Sequence, residues 1–208
     1  AFYNCNKLTS VIIPTSVTSI GVAAFQGCSS LASIIIPDGV TSIGNNTFYG
    51  CSKLASIIIP TSVTSIGSSA FQSCTSLASI IIPTSVTNIG ASAFGGCTTA
   101  VTITSLTPPT ISTNTFNLQM EILVPPSLVD TYKEASPAWK TFASIIKAIV
   151  TPQDAFTFDE STNTVVSYNH VYQEGDSYYY KNVIIPEYFD VNGTSYPVTN
   201  IGDDCFKD

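Results

Sequence analysis

A strict period of 23 residues constrains this chain more than any other feature. Cysteine stands at Cys5, Cys28, Cys51, Cys74 and Cys97, and phenylalanine at Phe2, Phe25, Phe48, Phe71 and Phe94. Leucine follows at Leu8, Leu31, Leu54 and Leu77, proline at Pro14, Pro37, Pro60 and Pro83, and glycine at Gly21, Gly44, Gly67 and Gly90. A single globular core imposes no such spacing. A stack of equal coils does, because one coil buries its apolar face only against its neighbours.

A full unit reads IGSSAFQSCTSLASIIIPTSVTN, from Ile66 to Asn88. The SIIIP piece predicts a short strand of β-favouring residues, closed by a proline that has no N–H to give a ladder. The SVTSIG piece predicts a second extended stretch, with Val40 and Ile43 turned inward in one coil and glycine permitting the bend that follows. The AFQSC piece turns the corner and buries Phe and Cys.

Successive strand side chains point to opposite faces. If Ile34 and Ile36 face the core, Ile35 faces out, and so do Ile12, Ile58 and Ile81. Stacking turns these four into a column flanked by Ser10, Ser33, Ser56 and Ser79. β-branched neighbours on a sheet face favour each other by about 0.2–1 kcal/mol, so a plain reading is a self-shielding ladder that stiffens the sheet. A contiguous apolar stripe is also a common mark of a contact surface. The column is therefore the candidate partner-binding or self-association face.

The pattern IG-x-x-AF-x-x-C-x-x-L-x-x-I-x-IP-x-x-V-T is matched nearly four times between Ala1 and Cys97. It resembles the BspA-like leucine-rich repeat family of bacterial and some protist surface proteins, with Thr47 in place of the usual alanine before Phe48. The resemblance implies a repeat solenoid, mainly β, of stacked coils with a parallel sheet. It also implies a secreted or cell-surface location, no catalysis, no cofactor, and adhesion to host extracellular-matrix proteins or to other bacteria.

Beyond Cys97 the repeat decays. VTITSLTPPTISTNTF is a variant coil, with Ile111, Thr115 and Phe116 in the places of Ile89, Ala93 and Phe94. A last strand-like ILVP follows, and then Leu128, Tyr132, Trp139 and Phe142 at spacings compatible with one or two helical turns. A more polar, aromatic end suits a terminal cap. Residues 1–150 thus read as a solenoid with a C-terminal cap.

Residues 151–208 read as a hairpin-rich segment resembling the N-terminal cap of a second array. One hairpin is expected around the DESTN turn, a second at Glu174-Gly175-Asp176, and a third at Asn192-Gly193. VTNIGDDCF then realigns with VTNIGASAF, which puts Phe206 at the repeat position of Phe2. An array start that accepts the array end of another chain would give head-to-tail association.

Charge excludes one partner class. The chain has no arginine, seven lysines and a net charge of −7. From Ala1 to Met120 the only charges are Lys7, Asp38 and Lys53, net +1; the remainder carries thirteen carboxylates against five lysines, net −8. Nothing forms the positive footprint that nucleic acid requires. No apolar run approaches the ~20 residues of a membrane helix, so membrane insertion is not expected.

Chemistry-bearing residues are few. The cysteine column reads as a buried thiol ladder, since it lacks histidine partners and the short spacing of zinc sites; Cys205 aligns with alanine. His170 is the single histidine and sits in no nucleophile motif. The pairs Asp159–Glu160 and Asp203–Asp204 match no calcium loop. Asn45-Asn46-Thr47 and Asn192-Gly193-Thr194 are glycosylation sequons. Tyr168, Tyr172, Tyr178, Tyr179 and Tyr180 crowd one stretch, and Tyr179 and Trp139 are the candidate exposed aromatics for a glycan, the alternative partner to protein. A third alternative is a structural stalk with no ligand. No nucleophile, base and orienter come together for an enzyme.

Overall fold

The computed structural model describes residues 1–98 and 100–149, and beyond them the strands 156–159, 164–168, 188–191, 194–197 and 200–201. The chain divides into two compact units, residues 1–149 and 150–208.

In the first unit the strands, in chain order, are β1 (Ser33–Ile35), β2 (Ser42–Ile43), β3 (Ser56–Ile58), β4 (Ser65–Ile66), β5 (Ser79–Ile82), β6 (Asn88–Ile89), β7 (Ala100–Ile103), β8 (Glu121–Val124) and β9 (Ile146–Ala148). All of their pairings are parallel. On one side of the coil β1 pairs with β3, and β5, β7, β8 and β9 form one sheet. On a second side β2, β4 and β6 pair, extended by single bridges from Ile20 to Ile43 and from Asn88 to Thr110. Register follows the repeat: Ile35 faces Ile58, and Ile43 faces Ile66.

A third side is built by the corner. There alternate N–H groups donate to the next coil: Ala23 to Asn45 O, Phe25 to Thr47 O and Gly27 to Tyr49 O, at 2.9, 2.9 and 2.7 Å. The same three bonds recur from Asn46, Phe48 and Gly50 to Ser68, Ala70 and Gln72. Ala23, Asn46, Ser69 and Ser92, again 23 apart, hold left-handed backbone with φ of 55–56°. Such backbone costs a non-glycine residue roughly 1–2 kcal/mol. The inter-coil hydrogen bonds of the neighbouring peptides hold it in place.

The core is a set of stacked columns. Phe25, Phe48, Phe71, Phe94 and Phe116 are buried, and successive rings from Phe2 to Phe116 stack with centroids 5.3–5.6 Å apart. Each such pair adds about 0.5–1.5 kcal/mol beyond its area. Leu31, Leu54, Leu77 and the inward isoleucines complete the layer.

The cap closes this core with α1 (Val129–Glu134) and α2 (Pro137–Thr141). Ser136 caps α2 by accepting the Trp139 N–H, and Pro137 stands where its missing N–H costs nothing. Phe142 meets Phe116 edge-on at 5.3 Å, and Tyr132 meets Trp139 edge-on at 5.0 Å.

Two details depart from a uniform stack. The Ser10–Pro14 segment is not a strand; the residue before it, Thr9, ties to the next coil by accepting the Ala32 N–H at 3.2 Å. The parallel sheet is also not one continuous ladder. Regular pairing is interrupted between β3 and β5, which lie side by side and share the Ala78 N–H bond to Ala55 O.

In the second unit β10 (Phe156–Asp159) pairs antiparallel with β11 (Thr164–Tyr168), giving the first expected hairpin. β12 (Tyr188–Val191) pairs antiparallel with β13 (Thr194–Pro197) on either side of Asn192-Gly193. β14 (Asn200–Ile201) then runs parallel to β11, with Thr164 facing Asn200 and Val165 facing Ile201. This repeats the pairing of β4 with β6, where Ser65 faces Asn88 and Ile66 faces Ile89. The hairpin expected at Glu174-Gly175-Asp176 lies outside the described residues.

Candidate functional site

The outward column of the strand side holds the three most exposed large apolar side chains among the described residues. Ile12 is 93% exposed, Ile35 78% and Ile58 76%, while their neighbours Ile34, Ile36, Ile57 and Ile59 are buried. For Ile35 and Ile58, in β1 and β3, strand alternation produces this directly, since an odd residue count between two core-facing isoleucines leaves the middle one outside. Ser10, Ser33 and Ser56 flank the column and are exposed as well.

The stripe is shorter than its sequence predicts. Ile81 and Ser79 are half-buried. Thr102, Leu123 and Lys147 succeed Ile81 in register, so the isoleucine column ends there. Lys147 pairs with Glu121 across the last strands. An ion pair exposed to this degree adds little stability, but it marks a change from apolar to charged surface.

Trp139 is not an exposed aromatic. It is 1% exposed, and its indole N–H donates to Pro109 O at 2.9 Å. A buried indole needs such a partner, and Pro109 lies 30 residues upstream, so the ring is cap core. Tyr179, His170, Cys205, the tyrosine-rich stretch from Tyr172 to Tyr180 and Asn192-Gly193 of the second sequon lie outside the described residues. In the first sequon Thr47 is fully buried and donates to Gly44 O, which satisfies the hydroxyl that replaces alanine.

The cysteine column has a role beyond filling space. Cys28, Cys51, Cys74 and Cys97 are buried and free, and each thiol donates to a phenylalanine carbonyl of the preceding coil: Phe2, Phe25, Phe48 and Phe71, at 3.0–3.2 Å. Burial pushes every one of these thiols up, Cys97 to about 11 and Cys51 to about 12. They are poor nucleophiles and poor metal ligands as they stand. Among the described residues no group of three or more His, Cys, Asp or Glu gathers to hold a metal, and no helix is long and apolar enough to cross a membrane.

A recess of about 360 Å³ beside the cap is lined by Pro108, Pro109, Ile111, Ser136, Pro137 and their neighbours, with no titratable group among them. On the corner side Tyr3 is 58% exposed and Tyr49 half-buried. Sequence reasoning passed over these two aromatics because it sought them on the strands.

The architecture agrees with known proteins. A family model described as the BspA-type leucine-rich repeat region matches residues 1–122 in six copies. The chain belongs to this family. Repeats of this kind are generally non-catalytic. A leucine-rich repeat protein of Bacteroides ovatus is 31% identical, with 60% of this chain and 41% of that one covered and a TM-score of 0.50. The Treponema pallidum leucine-rich repeat protein is also 31% identical, over 64% of this chain and 73% of that one, again with a TM-score of 0.50. The pneumococcal vaccine antigen PcpA shares the fold at 18% identity and a TM-score of 0.52. The chain thus spans about two fifths of the Bacteroides ovatus protein. A comparison with curated proteins finds no match.

Proposed function

We propose that this chain is a non-catalytic protein-binding module of a secreted or cell-surface protein, and that the column Ile12–Ile35–Ile58 is its contact stripe. One observation carries the reading: three isoleucines in a row, held on a stacked-coil scaffold, stand 76–93% exposed. A soluble fold gains nothing from that exposure by itself. Covering each isoleucine is worth about 1.5–3 kcal/mol to a partner, and the flanking serines offer hydrogen bonds without a charge to desolvate. Extracellular-matrix proteins and surface proteins of other bacteria are the partner classes, with self-association through the same stripe as the second mode.

The test is the pair of substitutions Ile35→Thr and Ile58→Thr. Both side chains lie outside the core, so the circular-dichroism spectrum should not change. Surface plasmon resonance against a panel of purified matrix and bacterial surface proteins should show binding by the parent chain. The double variant should bind about 30-fold more weakly, at roughly 1 kcal/mol per site. Equal binding by both chains, with equal sedimentation behaviour, would reduce the stripe to scaffolding.

A further inference from the structure

The repeat hides a second period. In the corner column that begins at Tyr3 the residues run Tyr3, Gln26, Tyr49, Gln72. In the column that begins at Lys7 they run Lys7, Ser30, Lys53, Ser76. The first and third coils therefore carry a tyrosine and a lysine, and the second and fourth a glutamine and a serine. Plain duplication of a two-coil unit would leave the same alternation everywhere. Neighbouring columns lack it: Asn4, Gly27, Gly50, Ser73 in one, and Asn6, Ser29, Ser52, Thr75 in another.

The structure holds the tyrosine–glutamine column in a regular row. The carbonyls of Gln26, Tyr49 and Gln72 accept from the N–H groups of Asn4, Gly27 and Gly50 at 2.7, 2.7 and 2.8 Å. The phenylalanine rings directly beside them step by 5.3, 5.6 and 5.4 Å. Tyr3, Lys7 and Lys53 are exposed, and Tyr49, Gln26 and Gln72 are half-buried. Lys7 and Lys53 are the only cations between Ala1 and Met120, and neither has an ion-pair partner among the described residues.

We infer that this corner is a binding track for a linear polysaccharide with an acidic disaccharide repeat. Stacked coils step by about 4.8 Å, close to the length of one extended β-linked sugar, so a disaccharide advances by two coils. Tyrosine supplies a flat apolar face for every second ring. Glutamine supplies an amide donor and acceptor for the ring between. Lysine places one point charge per disaccharide against its carboxylate. A uniformly acidic polymer would call for a cation on every coil, and nucleic acid for many more. Gly95 stands next in the tyrosine–glutamine column, so the track spans four coils and accommodates four to five sugars. This surface is separate from the isoleucine stripe.

The experiment is calorimetric titration of the full chain with hyaluronate oligosaccharides of increasing length, with unsulfated chondroitin as a second acidic probe and chitohexaose as the uncharged comparison. Affinity should rise up to about four to five sugars and then level, with chitohexaose at least about tenfold weaker. Tyr49→Gln and Lys53→Ser give the third coil residues that the second and fourth already hold, so folding is not at risk. Each should weaken binding by about tenfold; Lys53→Ser should also remove half of the salt dependence, and Ile35→Thr should change nothing. No heat with either acidic probe at about 1 mM, equal binding of chitohexaose, or full retention in Tyr49→Gln would overturn the proposal.

Discussion

Placing alanine at Gly90 tests how tightly the coils stack. Gly21, Gly44, Gly67 and Gly90 share one column, and none has left-handed backbone, so conformational freedom does not explain them. Close approach does. A Cβ on Gly90 would lie 2.4 Å from Ser68 N and 2.7 Å from Gly67 C. On Gly67 it would lie 2.6 Å from Asn45 N, on Gly44 3.4 Å from Val22 N, and on Gly21 it would meet nothing within 4 Å. The neighbours at Gly67 and Gly90 include backbone, which cannot rotate away. Relief requires the coils to part, against the Gly67 N–H bond to Ile43 O at 2.7 Å and the Gly90 N–H bond to Ile66 O at 2.8 Å.

Overpacking of this kind costs about 1–3 kcal/mol, and a weakened hydrogen bond about 1 more. Gly90→Ala and Gly67→Ala should therefore each lose about 3 kcal/mol. Gly44→Ala should lose about 1 kcal/mol on the same scale. Gly21→Ala should be neutral or gain up to about 0.5 kcal/mol, because alanine restricts the unfolded chain. Urea unfolding followed by fluorescence reads this out. Trp139, the single tryptophan, packs on Phe116 at the end of the same core. Equal losses at Gly21 and Gly90, or no loss at Gly90, would refute the close-approach argument.

Other consequences follow from the same geometry. In the native chain Cys28, Cys51, Cys74 and Cys97 should resist iodoacetamide at pH 8 and react once urea unfolds the stack, as peptide mass spectrometry would show; labelling of all four without denaturant would contradict their burial. Because these thiols keep their protons in the folded state above the unfolded value of 9.0, the folded chain binds more protons there. Stability should hold below pH 9 and fall as pH rises from 9 toward 11, by up to about 1.4 kcal/mol per pH unit for each thiol. A flat stability profile between pH 8 and 11 would argue against it. Tyr132→Phe removes the hydroxyl that donates to Ser105 O at 2.7 Å and strands that buried carbonyl, at a cost of about 1–3 kcal/mol in unfolding free energy, read by urea titration.

Much of this was written into the chain. Identical residues at 23-residue intervals force a stack, and alternation within SIIIP places Ile35 and Ile58 outside. Trp139 was misread because an aromatic in a cap can point either way, and its partner Pro109 belongs to a different coil. The cysteines were legible as small buried residues, but their carbonyl partners lie 26 residues upstream, where only the stacking register brings them. The left-handed residues Ala23, Ser69 and Ser92 carry no signal at all, since the side chains there are ordinary ones. The interruption between β3 and β5 falls between two copies of the same SIIIP segment, so local sequence could not place it.

The central claim is that the isoleucine column is where a protein partner sits. Carbene footprinting of the chain, alone and saturated with a matrix or surface protein that binds it, measures this side chain by side chain. The account predicts that labelling of Ile12, Ile35 and Ile58 drops strongly in the complex while Leu106 and Leu118, also exposed but on the decayed coil, are labelled as before. Unchanged labelling at Ile35 and Ile58, with protection elsewhere on the coils, would contradict it.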